Sequence, residues 1–267
     1  MNQPDLYVAD VGEGIPVVLL HGLTATHRYV VMGSRALERS AHRVISYDAR
    51  GHGASAPAPE AAAYRYEELA ADLLRVLDER GIDRAVLAGA SMGAHTALKV
   101  ALEEPERVAG LVVITPAYDS ETHLDEASLA RWDALSDGLR EGGVEGFIAA
   151  YGEPSADPAW RETLLTVLRQ RIGAHEHPGA VADALRVVPR SRPFEHIEQL
   201  AAIAVPTVVV ADRDEPDPGH PLAVGEAYAA AIPGARLVVE EPGSSPVAWQ
   251  GGRLSALIAE LAAEAMG

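Results

Sequence analysis

Gly89-Ala90-Ser91-Met92-Gly93 is the short segment of this chain whose residue types and spacing point most clearly to covalent chemistry. An apolar run at 85–88 leads into it and a helical pattern at 94–101 leads out, so Ser91 falls at a strand-to-helix turn. Such a turn strains the serine backbone and presses the helix against the strand. Glycines two residues before and after make room for that approach and leave the hydroxyl exposed above the sheet. The N-terminus of the following helix adds backbone N–H groups that favour an oxyanion. Together these are the parts of an acyl-transfer site.

Three loops are placed to serve that serine. His21-Gly22-Leu23-Thr24 follows an apolar run at 16–20, where a tight turn can point a backbone N–H at the nucleophile. Tyr47-Asp48-Ala49-Arg50-Gly51-His52-Gly53 follows the run at 43–47, and Asp212-Arg213-Asp214-Glu215-Pro216-Asp217-Pro218 follows the run at 207–210. All three lie at C-terminal strand ends, the edge where open α/β sheets place their ligands. Asp48 and Arg50 read as ties within their loop. The acidic run lacks the glycine and distal glutamate of a calcium loop, and no dinucleotide fingerprint occurs, so neither a metal nor a cofactor is expected. Glu103-Glu104 and Glu240-Glu241 read as solvated element ends.

The elements that must carry these loops alternate regularly. Strands are expected at 6–9, 16–20, 43–47, 85–88, 111–114, 207–210 and 236–239, and helices at 66–80, 92–102, 222–231 and 254–265. Continuous apolar strands alternating with helices describe an α/β fold with a mostly parallel, doubly wound sheet covered on both faces. The alternation breaks once, between about 117 and 200, where only helical patterns appear (128–140, 144–151, 160–172 and 180–188). The expectation is a core formed by 1–116 and 201–267 with an inserted helical cap at 117–200.

Composition bounds the function. The 267 residues are 48% hydrophobic, carry a net charge of −17 and include no cysteine. An acidic chain is a poor partner for nucleic acid or anionic membranes, and thiolate chemistry is excluded. The first residues lack the pattern of a signal peptide and no apolar stretch is long enough to span a bilayer, so a cytoplasmic protein acting on a small molecule is expected, with a homodimer left open.

With His-Gly-Leu-Thr, Asp-Ala-Arg-Gly-His-Gly and Gly-Ala-Ser-Met-Gly in this order, the chain from about Pro16 onward resembles the α/β-hydrolase superfamily of the helical-cap type. That resemblance implies Ser91 as nucleophile, the N–H groups of Leu23 and Met92 as oxyanion hole, and Asp214 as the acid that orients a histidine. It breaks at the base. The family places a histidine after a Pro-Gly pair beyond the last strand, but this chain reads Glu241-Pro242-Gly243-Ser244-Ser245-Pro246, and no histidine follows His220. Pro246 falls where the base should be.

Among the remaining histidines, His220 in Pro218-Gly219-His220-Pro221 shares the acid loop and reaches Ser91 if that loop folds inward; the plainer reading is a surface turn residue. His95 reads as a packed histidine one helical turn beyond Ser91. His21 and His52 read as loop-shaping residues, and His123, His175, His177 and His196 belong to the cap. The expected function is a cofactor-independent serine hydrolase for a carboxylic ester or lactone with an apolar acyl group, using Ser91, Asp214 and His220. The alternative is a hydrolase-fold protein without hydrolytic activity that binds a small apolar ligand or catalyses proton transfer as a lyase or isomerase.

Overall fold

The apolar runs form strands whose alternate side chains are buried on opposite faces of one sheet. The computed structural model describes residues 3–213, 217–244 and 246–266. The strands are β1 (Val8–Val11), β2 (Ile15–Leu20), β3 (His42–Tyr47), β4 (Ala85–Ala90), β5 (Val108–Ile114), β6 (Thr207–Ala211) and β7 (Arg236–Val239). The helices are α1 (Tyr66–Glu79), α2 (Met92–Glu103), α3 (Glu126–Tyr151), α4 (Pro158–Ile172), α5 (Pro178–Val187), α6 (Leu222–Ala231) and α7 (Gly251–Met266). The sheet order is β1-β3-β2-β4-β5-β6-β7, with β1 antiparallel to β3 and every other pairing parallel.

Val18, Leu20, Leu87, Leu111, Val113 and Val209 pack on one side with side chains of α1, α2 and α6. Their neighbours Val17, Leu19, Val86, Ala88, Val112, Val208 and Val210 pack on the other with α7. Burial on both faces is why the strands read as unbroken hydrophobic runs. The chain moves outward from β2 to β3 and then crosses to β4 on the other side of β2. This reversal is a topological switch point, where neighbouring loops diverge and leave a crevice. The loops after β2 and β4 flank it, with Leu20 opposite Gly89 in register.

Between β5 and β6 the chain inserts α3, α4 and α5. Their apolar stripes (Leu135, Leu139, Phe147, Leu164, Leu168, Ile172, Val181 and Leu185) share a cluster with Leu23 and Met92 of the crevice. The two helices expected at 128–140 and 144–151 run together as α3, kinked at Gly143 with φ 58°. Several boundaries differ from the sequence reading, among them those of β1, β4, β5 and α7. β1 is shifted by two residues to pair Val8 with Tyr47, and β5 begins at Val108, which pairs with Ala85 of β4.

Candidate active site

Ser91 stands at the turn between β4 and α2 with φ 50° and ψ −113°, a backbone state costing about 1–3 kcal/mol for a residue with a side chain. The neighbouring strand holds it there, since Ser91 N–H donates to Ile114 O at 2.9 Å. The flanking glycines are a packing requirement. A Cβ on Gly93 would stand 2.2 Å from Leu20 O, and one on Gly89 would stand 2.3 Å from Gly93 O. Gly93→Ala is therefore expected to destabilise the fold by about 1–3 kcal/mol, at the upper end because the clash is with backbone. Urea unfolding checks this, and an unchanged midpoint would contradict the packing argument.

The loop after β2 approaches closely enough that a Cβ on Gly22 would lie 3.5 Å from Ser91 Cβ. Leu23 N–H finds no acceptor among the described residues. Met92 is the first residue of α2, so its N–H lies outside the intrahelical ladder. Both residues line the cavity in front of Ser91. Buried histidines fix the loop. His52 Nε2 lies 2.8 Å from Leu23 O, and His21 Nε2 accepts from Ala49 N–H at 2.9 Å. His175, from the inserted segment, accepts from Gly53 N–H at 2.9 Å. Burial pushes His21 and His175 down to about 3, so both stay neutral. Asp48 accepts from His27 N–H and Ala54 N–H, and Arg50 bonds Asp72 at 2.7 Å, as loop ties should.

Two cavities meet at Ser91. The larger, about 270 Å³, is lined by Leu23, Met92, Tyr66, Trp132 and Val188 among others. The smaller, about 60 Å³, is lined by Tyr29, Arg171, Asp212, Asp217, His220 and Trp249 among others. His220 is thus turned inward beside Ser91, with its side chain 25% exposed, and is not the surface turn residue of the plainer reading. Its Nδ1–H donates to Asp217 Oδ2 at 2.7 Å, which leaves Nε2 free to take a proton. A Pro-Gly turn makes this pair: His220 N–H donates to Asp217 O at 3.1 Å across Pro218-Gly219. Burial opposes both charges, yet each partner wins for the other. Asp217 lies below the usual carboxylate range, and His220 is raised above 6.5.

The other histidines near Ser91 differ. His95 is buried, and its Nε2 accepts from Ala117 N–H (3.3 Å) and Tyr118 N–H (3.2 Å). Its proton is therefore on Nδ1 and donates to the Tyr66 hydroxyl at 3.1 Å. Burial holds His95 down at about 3, so it is the packed histidine that its sequence context indicated. His123 lines the larger cavity, with neither ring nitrogen bonded to a described residue, and burial lowers its pKa.

Glu240 is a correction to the sequence reading. It is 2% exposed, not solvated, because it accepts from Arg213 N–H and faces Asp212, which is 0% exposed. Burial first, and then Glu240, pushes Asp212 up to about 8. Asp212 Oδ2 and Glu240 Oε2 have no donor among the described residues, and one proton shared between the carboxyls satisfies both. The folded state keeps a proton that the unfolded chain loses above about 3.8, so this contribution to stability is full below 3.8 and is lost as pH rises through about 8. Asp212→Asn should accordingly melt above wild type at pH 9, with a smaller gain at pH 5. An equal difference at both pH values would contradict the shared proton.

The structure therefore brings Ser91, Leu23, Met92 and His220 together. Asp214 lies outside the described residues. The carboxylate on His220 is Asp217, which the sequence offered only as one acid among several, although Asp-Pro-Gly-His is a turn signature. In place of a histidine loop, Pro246 leads into a short turn, Val247–Trp249, where Ala248 N–H donates to Asp212 at 3.3 Å and Trp249 packs edge-on against Trp160 of α4. Arg171 was also missed; it follows Leu164 and Leu168 on the buried stripe of α4, a position where an apolar residue is the norm.

A model of the alpha/beta hydrolase fold matches residues 15–251. RutD of Variovorax paradoxus, provisionally named a carbamate hydrolase, is 31% identical over 207 residues, covering 76% of this chain and 75% of that protein. RutD of Klebsiella pneumoniae, named likewise, is 30% identical over 84% of this chain and 82% of its own length. A thermophilic esterase from Thermogutta terrifontis is similar with a TM-score of 0.80 and 26% identity, covering 99% of this chain and 95% of that one. An enol-lactonase from Burkholderia xenovorans, 23% identical, shares the fold with a TM-score of 0.78 over 97% of both chains.

Proposed function

The chain belongs to the α/β-hydrolase family, and from that premise we propose that it hydrolyses a carboxylic ester or lactone without a cofactor, using Ser91 as nucleophile and His220 as base. Ser91 Oγ attacks the carbonyl carbon as His220 Nε2 takes its proton. Leu23 N–H and Met92 N–H hold the oxygen that becomes negative, helped by the N-terminus of α2. His220 then passes the proton to the leaving oxygen, and water repeats the cycle on the acyl-enzyme. Asp217 keeps Nδ1–H directed at itself, which presents Nε2 in the correct tautomer. The inserted segment acts as a cap, and its Trp132 and Val188 add to an apolar wall with Leu23 and Met92 that suits an acyl group.

The observation that carries this reading is the shared cavity of Ser91 and an Asp217-bonded His220. One imidazole from the acid loop stands in for the histidine that Pro246 replaces. The non-hydrolytic alternative draws its support from that same replacement. Treatment with a fluorophosphonate separates the two. The hydrolase reading expects one phosphonyl group per chain, mapped to the peptide bearing Ser91. A protein that takes up apolar ligands but stays unlabelled would overturn it.

A further inference from the structure

The hydrolytic reading leaves a cation beside the reaction centre without a task. Arg171, on α4, lines the small cavity with Ser91, His220 and Asp217. A guanidinium has five N–H donors and stays charged at any ordinary pH. Its Nε is buried with no hydrogen-bond partner among the described residues. The ring of Tyr29 covers one face of the guanidinium at 5.4 Å and so orients its edge without satisfying it. Asp217 lines the same cavity and its charge favours the Arg171 cation, while its carboxylate accepts the hydrogen bond of His220. A buried guanidinium N–H without an acceptor is costly to keep, and a planar anion is its natural complement.

We infer that Arg171 binds a carboxylate on the leaving group, so that the substrate is an acyl ester of a short hydroxycarboxylic acid. The inference rests on the hydrolytic reading for the direction of the substrate. The base returns its proton to the leaving oxygen, and His220 lines the small cavity, so the leaving group occupies that side of Ser91 and the acyl chain the 270 Å³ side. At roughly 10–15 Å³ per water-sized centre, 60 Å³ takes about four to six heavy atoms, the size of a hydroxy acid such as glycolate or lactate. In the step itself the Ser91 oxygen–carbon bond forms and the bond from carbon to the leaving oxygen breaks. The serine proton travels through His220 Nε2 to that oxygen, releasing the hydroxy acid, and water then frees the acyl group as a carboxylic acid.

The test compares two esters that differ in charge alone, O-butyrylglycolate and O-butyrylglycolamide. Wild type should favour the glycolate ester in kcat/KM by about ten- to a hundredfold, the scale of a paired charge-assisted hydrogen bond. Arg171→Gln should bring the ratio to within about twofold, and Arg171→Lys, which keeps the charge but not the fork, should fall between. Calorimetric titration of glycolate into Ser91→Ala, with and without Arg171→Gln, reads the seat without turnover. Binding lost with Arg171 supports it. Hydrolysis of both esters at equal rates with no Arg171-dependent glycolate binding would overturn the carboxylate seat and leave the hydrolase standing. Hydrolysis of neither ester together with Arg171-dependent binding would overturn the hydrolase and keep the seat.

Discussion

Ser91→Ala will lower hydrolysis of 4-nitrophenyl butyrate by roughly 10⁴- to 10⁶-fold and leave the fold intact. The size follows from removing the atom that forms the acyl-enzyme: loss of the nucleophile in a serine protease costs roughly 10⁶-fold in turnover. The oxyanion hole and pocket survive the substitution and retain roughly 10³- to 10⁴-fold acceleration over water, which sets the floor. Alanine accepts the φ of 50° at the same backbone cost as serine, and the Ser91 N–H to Ile114 O bond is made by the backbone. Stability should therefore change by less than about 1 kcal/mol. Retention of most of the activity would place the chemistry elsewhere in the molecule.

His220→Ala will lower kcat/KM by about 10²- to 10⁴-fold, the range for a general base. The wild-type rate should rise with pH as Nε2 loses its proton. Because Asp217 raises His220 against the opposing effect of burial, the midpoint should lie above the ordinary value of 6.5. The variant should lack that limb, and Asp217→Asn should move it downward, since it keeps a hydrogen-bonding side chain but removes the charge. A limb that persists unchanged in His220→Ala would contradict His220 as the base.

The sheet was legible because burial on both faces leaves an unmistakable signature: seven apolar runs gave seven strands, with shifts only at strand ends such as those of β1 and β5. The turn at Ser91 was legible for a related reason, because Gly89 and Gly93 meet backbone contacts too close for a Cβ without displacement. The polar parts were harder. Asp217 and His220 meet through a local Pro-Gly turn, yet nothing in the spacing says that the turn faces inward. Glu240 read as solvated because two adjacent glutamates usually are. Its burial depends on Asp212, 28 residues away, holding the other half of a shared proton. Arg171 and Ser91 are 80 positions apart, and only the docking of α4 over the crevice joins them.

The central claim is that an imidazole from the acid loop has taken over the base's task at Ser91. The most direct measurement is a crystal structure of the protein after reaction with a fluorophosphonate. It should show phosphorus bonded to Ser91 Oγ, the phosphoryl oxygen within hydrogen-bonding distance of Leu23 N–H and Met92 N–H, and His220 Nε2 within about 3.2 Å of Oγ. An adduct with His220 turned away, and either His123 or no imidazole within reach of Oγ, would contradict the account.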